Sequence, residues 1–456
     1  MTESISEVAV DFINKILEIL SVGKDLSEVE VKVLQAAKSC GAQMIGLHIE
    51  SLDAAIVSDK AGRRSCGYSI ERRNDPRRVQ SLTGEISYRR TFFSKASGGY
   101  EYLADTAFGI ESRSRVSEGL SLSLVEASKD MSYGKASAYV AGGEVSRQTV
   151  MGRIRRSGAV ESSVQERRCV PELHIDADEA HVKLTSGKKS DVPLISVYEG
   201  IGSKGKRTFC KNIFHISEYG KTPDDLWEQA LTEIERHYDL TNTKVYLHGD
   251  GASWIQTCID WIPNAIFVLD KYHKNKEIKK MTAGLGKESR KEYDAAIRES
   301  LSDENLEFFA EITQALCTEF PEREDKIQES AGYLKNFVKG ISICANDPAA
   351  NNGGCTEPHV SHVLAARLST RPMAWSKRTL KQLAPILATN QIELLKSLPE
   401  KPELPLPLVS TAAKANRDFL KKNRKWSRGL PHPDAIGALP INGKRTGTQV
   451  LLKLFT

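Results

Sequence analysis

The chain has 456 residues, with 64 Lys and Arg against 59 Asp and Glu for a net charge of +5, and it is 40% hydrophobic and 7% aromatic. That composition rules out a disordered chain and leaves room for roughly two to four domains with substantial cores. No run approaches the ~18 apolar residues of a membrane span, and residues 1–30 have no basic segment leading into an apolar one, so a non-exported cytoplasmic protein is expected. The 8 cysteines are scattered without a C-x-x-C pair, which argues against a disulfide framework or a thiolate zinc site and suits a reducing compartment.

In chain order, residues 1–62 read as a helical head. ISEVAVDFINKILEILS (5–21) carries apolar residues at helical spacing, and 26–50 continue in that style. Residues 63–114 form a basic region in which RRVQSLTGEISYRRTFFSK (77–95) alternates about Thr83-Gly84 as a hairpin. Within 63–95 nine Lys and Arg stand against three acids, and a second basic block, KANRDFLKKNRKWSR (414–428), lies in a C-terminal region 386–456. Either block alone is ordinary solvated surface. Two of them flanking a near-neutral middle point to a polyanionic partner.

Residues 115–168 spell three short helices, the last two separated by Gly142-Gly143, with Ser146 placed to cap the third. The spacing suits a helix-turn-helix that would offer Arg147, Gln148, Arg153 and Thr149 to DNA, with Arg155 and Arg156 on phosphates; a plain helical hairpin has the same pattern. The basic end of the third helix favours DNA.

Residues 169–275 turn to strands. LHIDADEAHVKL (173–184), VPLISVYEGI (192–201) and TFCKNIFHIS (208–217) are three extended runs, followed by a helix TPDDLWEQALTEIERHY capped by Thr222 with Pro223 at its first position. KVYLHGDGASWI (244–255) and AIFVLDKYH (265–273) are further strands. Three strands, helix, strand, helix, strand is the plan of a ribonuclease-H-like mixed sheet. Residues 276–344 are then purely helical, as an insertion would be, and the core resumes over 345–385, where TEPHVSHVLAARLST opens a helix capped by Thr356. The expected fold class is therefore multidomain α/β: a ribonuclease-H-like core interrupted by an all-helical insertion and preceded by a helical, helix-turn-helix DNA-binding region.

Three acids occupy places that such a fold brings together: Asp178 on the first strand, Asp250 at the end of the fourth, and Glu357 at the start of the late helix. Carboxylates converging at sheet ends bind hard cations, and two Mg²⁺ or Mn²⁺ ions suit in-line phosphodiester displacement. Asp176, two residues earlier on the same face, competes with Asp178 for the first place; Asp178 is favoured because it lies nearer the end where the other acids arrive. Cys355, His359 and His362 lack a fourth ligand for zinc. Arg371 and Trp375 are placed to grip and stack on DNA, although core packing is the commoner fate of a tryptophan. No glycine-rich nucleotide motif is present, so no nucleotide cofactor is expected.

HIDADEAHV, YLHGDGASWI, FVLDKYHKNK and GGCTEPHVSHVLAARLSTRPMAWS, in this order, resemble the transposases of ISLre-type insertion sequences, within the Mutator-like DDE transposases. The resemblance runs from the basic hairpin to about residue 385. It implies a DDE triad of Asp178, Asp250 and Glu357 as catalytic residues and metal ligands, with breakage and joining of double-stranded DNA at element ends. Asp270 and His273 match the family's acid-x-x-His motif as auxiliary residues. A glycine usually follows the glutamate in that family, where this chain has Pro358, a residue that a first helical turn accepts. The expected activity is a nucleoid-associated transposase working as a homodimer or higher oligomer on DNA. A hydrolysing nuclease or resolvase and a non-catalytic DNA-binding regulator are the alternatives.

Overall fold

The computed structural model describes residues 5–23, 25–156, 166–370, 373–389 and 404–428, and it is a mixed α/β structure with several sheets. Two compact units are present: Met1–Leu124 with Gly134–Arg147 and Leu398–Thr456, and Val125–Tyr133 with Gln148–Ser397. Their boundary runs through the three short helices Glu118–Asp130, Tyr133–Ala141 and Arg147–Ile154.

The first unit packs the long helix Leu26–Ser58 against a hairpin of β1 (Tyr68–Ser81) and β2 (Gly84–Lys95), to which β3 (Tyr100–Glu101) adds an edge. Asp25 caps the helix by accepting from the Glu28 N–H at 2.9 Å. Helix and strand touch directly at Gly46, where a Cβ would sit 2.6 Å from the Ser87 carbonyl oxygen. On β2 alternate residues Ile86, Tyr88 and Arg90 face inward and Ser87 and Arg89 outward. The hairpin is longer than 77–95, and the basic residues on it and on the preceding helix Lys60–Ser65 are of two kinds. Arg90 is buried against Asp105 with its guanidinium 3.4 Å from the centre of the Tyr102 ring, and Arg63 is buried on the carbonyls of Ile56 and Val57. Arg64, Arg72, Arg73, Arg78 and Arg89 are exposed.

The second unit is built on a five-stranded sheet. After β4 (Arg168–Cys169) come β5 (Glu172–Lys183), β6 (Lys189–Tyr198), the ribbon β7 (Ile201–Lys204) and β8 (Arg207–Cys210), β9 (Phe214–Ile216), β10 (Tyr238–Asp239), β11 (Lys244–Gly249) and β12 (Ala265–Leu269). The sheet order is β12-β11-β5-β6-β9, with β5–β6 and β6–β9 paired antiparallel and β5–β11 and β11–β12 paired parallel. The run 208–217, expected as a single strand, is two. Asn212 takes φ +50° between β8 and β9, so β8 pairs with β7 and only β9 joins the sheet.

The crossover from β9 to β11 is the helix Pro223–His237, which Thr222 caps as expected. Leu226, Trp227, Ala230 and Ile234 of that helix cover Leu173, Ile175, Ala177, Ile195, Val197, Val245 and Leu247 of the sheet, all buried. Each large apolar side chain so enclosed contributes about 1.5–3 kcal/mol. Beyond β12, the helices Lys271–Met281, Lys287–Ser302, Leu306–Glu319, Glu324–Asn336 and Val338–Asn346 share a second core that includes Ile278, Met281, Leu301, Leu316, Ile327, Leu334 and Ile341 and reaches Leu269 of β12. No helix of the described residues is long and apolar enough to cross a membrane.

Candidate functional site

Alternation along β5 separates two chemistries. Leu173, Ile175 and Ala177 enter the apolar core, while His174, Asp176 and Asp178 project from the opposite face. Asp176 is only 2% exposed, and every contact it makes is structural. It accepts from the Tyr198 hydroxyl at 3.0 and 3.2 Å and from the Cys355 N–H at 2.9 Å, and the His359 Nδ1 lies 3.1 Å from its Oδ2. The Tyr198 hydroxyl in turn accepts from the Gly354 N–H at 2.9 Å. Asp176 thus fastens the segment that carries Glu357 to β5. Beside it His174 and His248 are fully buried and hydrogen-bonded to each other at 3.0 Å. Burial and the neighbouring His248 push the His174 imidazole down to about 4, which keeps it neutral.

Asp178 lies partly open to solvent next to Asp250. The register sets Asp176 opposite His248, and β11 ends one residue later at Gly249, so Asp250 leaves the sheet level with Asp178. Two glycines make this turn possible. A Cβ at Gly249 would come within 3.1 Å of the Ala177 carbonyl oxygen, and Gly251 takes φ +86° against the Phe337 ring. Burial, reinforced by the Asp250 charge, pushes the Asp178 carboxyl up to about 6, although its own Oδ1 accepts from the Glu179 N–H at 2.8 Å. Asp250 Oδ1 accepts from the Ala252 N–H at 2.8 Å, and its carbonyl accepts from the Tyr333 hydroxyl.

Asp270 follows β12 and caps the next helix, accepting from the N–H groups of Tyr272 at 2.6 Å and His273 at 3.1 Å. Its second oxygen bonds His273 Nδ1 at 2.5 Å. That bond first, then the charges of Asp270, Asp250 and Asp178, raise the His273 imidazole above its ordinary value. The raised imidazole of His273 thus lies where the Asp178 and Asp250 carboxylates favour its charged form.

Glu357 is exposed on the short helix Thr356–Val360, between Cys355 and His359, the two residues that Asp176 holds. The helix is capped from Cys355 without a side-chain bond, so Thr356 is its first residue and not its cap. Glu357 is not among the charges acting on Asp178. Among the described residues no three His, Cys, Asp or Glu side chains converge closely enough to hold a metal ion. The pair Asp178 and Asp250 nevertheless fits a hard divalent cation, since Mg²⁺ is bound through one or two carboxylates and completed by substrate phosphate.

Two of the other expected DNA contacts are corrected. Trp375 is buried, donates to the Leu368 carbonyl at 2.9 Å and carries the Arg367 guanidinium 4.8 Å from the centre of its ring, so it packs and does not stack on DNA. Arg155 donates to Thr379 Oγ1 at 3.0 Å and Ser376 Oγ at 3.3 Å, bracing the helix Lys377–Ala388. Arg147, Gln148 and Arg156 are exposed and Arg153 is half-buried, while Arg371 lies outside the described residues. The patterns gave no sign of Tyr198, Tyr333 or Lys271, whose ammonium donates to the carbonyls of Asn351 and Gly353. Each is a lone polar residue whose partner lies far along the chain.

A family model described as an uncharacterised protein family, UPF0236, matches residues 20–395. A UPF0236 protein of Caldanaerobacter subterraneus subsp. tengcongensis is 35% identical over 388 residues, which cover 84% of this chain and 81% of the relative. A second protein of that organism, whose name joins eleven locus designations, is 35% identical over 379 residues, 82% of this chain and 79% of the relative. A UPF0236 protein from the vanSb 3′ region of Streptococcus gallolyticus is 25% identical over 452 residues, 94% of this chain and 96% of the relative.

Proposed function

The chain belongs to the uncharacterised protein family UPF0236, and we propose that it is a DNA transposase that cuts phosphodiester bonds at the ends of a mobile element and joins them to target DNA. The observation that carries this reading is the placement of Asp250, just past the carboxyl end of β11, level with Asp178 midway along the parallel strand β5, in a sheet of order β12-β11-β5-β6-β9. That order, three antiparallel strands with two parallel strands added beside the first, supports reading the sheet as a ribonuclease-H-like core. The helical block between β12 and the Glu357 helix then stands where a DDE enzyme of this kind carries its insertion. The relative with eleven locus designations in one name adds support, because a gene carried at many loci is what a self-copying element leaves behind.

Divalent cations, when bound, would neutralise phosphate charge and polarise the scissile bond. The chain's own residues divide the remaining work. Asp178 and Asp250 would hold the cations, and Glu357, on a helix fastened to β5 by Asp176, would be a further ligand. His273, whose bond to Asp270 raises its affinity for a proton, is poised to meet a phosphate oxygen or to give a proton to the leaving oxygen. The exposed Tyr272 lies beside it and offers a face for a splayed base. Arg147 and Gln148 are exposed for base edges, and Arg156 with the outward arginines of the hairpin for phosphates.

The test is to incubate the full chain with labelled candidate ends, Mn²⁺ and a target plasmid. Joined products support the transposase. Nicks without joining would return the protein to the nuclease or resolvase reading, and mobility shifts alone would leave a DNA-binding regulator.

A further inference from the structure

We propose that the β7–β8 ribbon is a binding surface for single-stranded DNA, with phosphates on Lys204, Arg207 and Lys211 and an unstacked base on Phe209. The choice of DNA as the polyanion rests on the transposase reading; the surface itself does not. Ile201, Gly202, Ser203 and Lys204 pair with Cys210, Phe209, Thr208 and Arg207, and Gly205 at φ +63° leads the two-residue turn between the strands. The ladder continues below them, where the Lys211 N–H donates to the Gly200 carbonyl at 2.9 Å and the Glu199 N–H to the Lys211 carbonyl at 3.0 Å. Neither strand joins the main sheet, and every residue from Ser203 to Phe209 is exposed.

Alternation gives the ribbon two unlike faces. Residues paired across antiparallel strands share a face, as do residues two apart along one strand. Lys204, Arg207, Phe209 and Lys211 therefore lie on one face with Gly202, and Ser203, Thr208 and Cys210 lie on the other with Ile201. The second face rests on the core: Cys210 Sγ is 3.6 Å from His359 Nε2, and the Ile201 N–H donates to Asn352 Oδ1 at 3.4 Å. The first face carries three cations and an aromatic ring, all exposed. Phe209 is seated on Gly202, where a Cβ would come within 2.8 Å of the ring and 3.3 Å of the Lys211 stem. The glycine thus brings ring and backbone together, and Phe209 stays 51% open to solvent.

No acid balances these charges. From Gly200 to Ser217 the chain has no Asp or Glu. Glu199, just before, is already taken by Arg168 at 2.8 Å, the Asn212 amide at 2.8 Å and the Tyr238 hydroxyl at 3.0 Å. Among the described residues no carboxylate pairs with Lys204, Lys206, Arg207 or Lys211. An exposed lysine alone is ordinary solvated surface. An aromatic ring set among cations without counter-charges fits a ligand that alternates phosphates with flat apolar rings, which is a nucleic acid. In a duplex the base faces cover one another, so a ring that needs such a face selects a single strand. The opposite face of the ribbon meets His359, on the Glu357 helix. The strand held on the outer face is therefore flanking DNA and not the phosphodiester being cut.

The test is made on the full-length protein in EDTA, where no cutting intervenes. A fluorescein-labelled oligothymidylate is titrated by anisotropy over a range of salt concentrations. Glutamine at Lys204, Arg207 and Lys211 together should reduce the salt slope of the affinity by about 2, at about 0.7 per phosphate contact on a single strand. Phe209→Ala should weaken binding roughly tenfold and Phe209→Trp should not. Gly202→Ala, whose Cβ displaces the ring while every cation stays, should match Phe209→Ala. Light-induced crosslinking of an iodouracil-substituted strand to the parent should mark the tryptic peptide 208–211 at Phe209. The crosslink needs no variant, so it decides the matter even where a variant melts early. Unchanged affinity and slope in all variants, or crosslinks that avoid Phe209, would overturn the proposal. Charge effects without any effect at Phe209 or Gly202 would reduce the ribbon to a phosphate contact, and larger losses on blunt duplex than on single strand would make it a duplex groove; either overturns it. End joining by a protein whose ribbon variants bind as the parent does sinks this proposal alone. Ribbon-dependent binding by a protein that neither nicks nor joins sinks the transposase reading alone.

Discussion

Replacing Asp178 with asparagine keeps the shape of the side chain and its bond to the Glu179 N–H, and removes one of two facing charges. In the absence of cations this should stabilise the protein. The carboxyl titrates near 6 in the fold against 3.8 ordinarily, so between those values the folded state binds more protons than the unfolded one. Stability contributed by this group is therefore present in acid and is lost as pH rises from about 4 through about 6. Two units at about 1.4 kcal/mol each set a ceiling of about 3 kcal/mol; partial exposure to solvent cuts that to roughly 1–2 kcal/mol. For a unit of this size the variant should melt roughly 2–8 °C above the parent in EDTA at pH 7.5. At pH 4 the difference should vanish, and millimolar Mn²⁺ should raise the melting temperature of the parent far more than that of the variant. A variant no more stable than the parent in EDTA at pH 7.5, or an advantage that persists at pH 4, would refute the account of Asp178 as a carboxyl held up by burial and by the facing Asp250 charge.

Three further outcomes follow from the same geometry. Alanine at Asp178, Asp250 or Glu357 should abolish end cleavage while leaving DNA binding in gel shifts nearly intact, and full cleavage in excess EDTA would exclude the divalent-cation chemistry. Asp176→Ala should do the opposite of Asp178→Asn: it strands the Tyr198 hydroxyl, the Cys355 N–H and His359, and should cost about 2–4 kcal/mol in urea unfolding while speeding amide exchange over 353–359. The His174 and His215 imidazoles, both lowered to about 4 by burial and a histidine neighbour, bind fewer protons folded than unfolded between about 4 and 6.5; stability should fall as pH drops through that window, and His215→Gln should flatten the fall.

The regular parts of this structure were legible in the sequence because they rest on local signals. The helical spacing of 5–21, the Thr222 cap with Pro223 behind it, and the alternation about Thr83-Gly84 each produced the expected element. The break at Asn212 was not legible, since a left-handed residue inside an apolar run leaves no pattern. Basic residues misled in one direction: Arg90 and Arg155 count toward charge clusters in the sequence but are used inside the fold, where Asp105 and Thr379 take up their donors. Which partner a guanidinium finds is a long-range matter, and composition is blind to it.

The two acids of β5 show where local reading ends. Asp176 and Asp178 have the same side-chain type, strand and face, and no pattern separates them. What separates them is the register of neighbouring strands. At Asp176 the β6 strand supplies Tyr198, and the loop before Glu357 supplies an N–H, so the carboxylate is enclosed and fully used. One pleat further on, β11 has ended; Asp178 keeps only the Glu179 N–H as a donor, faces another carboxylate, and part of its surface meets water. An enclosed and satisfied acid holds structure together, whereas a half-open and repelled one is left with capacity to bind. The chemistry of this strand is thus set by its neighbours: β6 and the loop before Glu357 enclose Asp176, and the point at which β11 stops leaves Asp250 level with Asp178, one pleat further on.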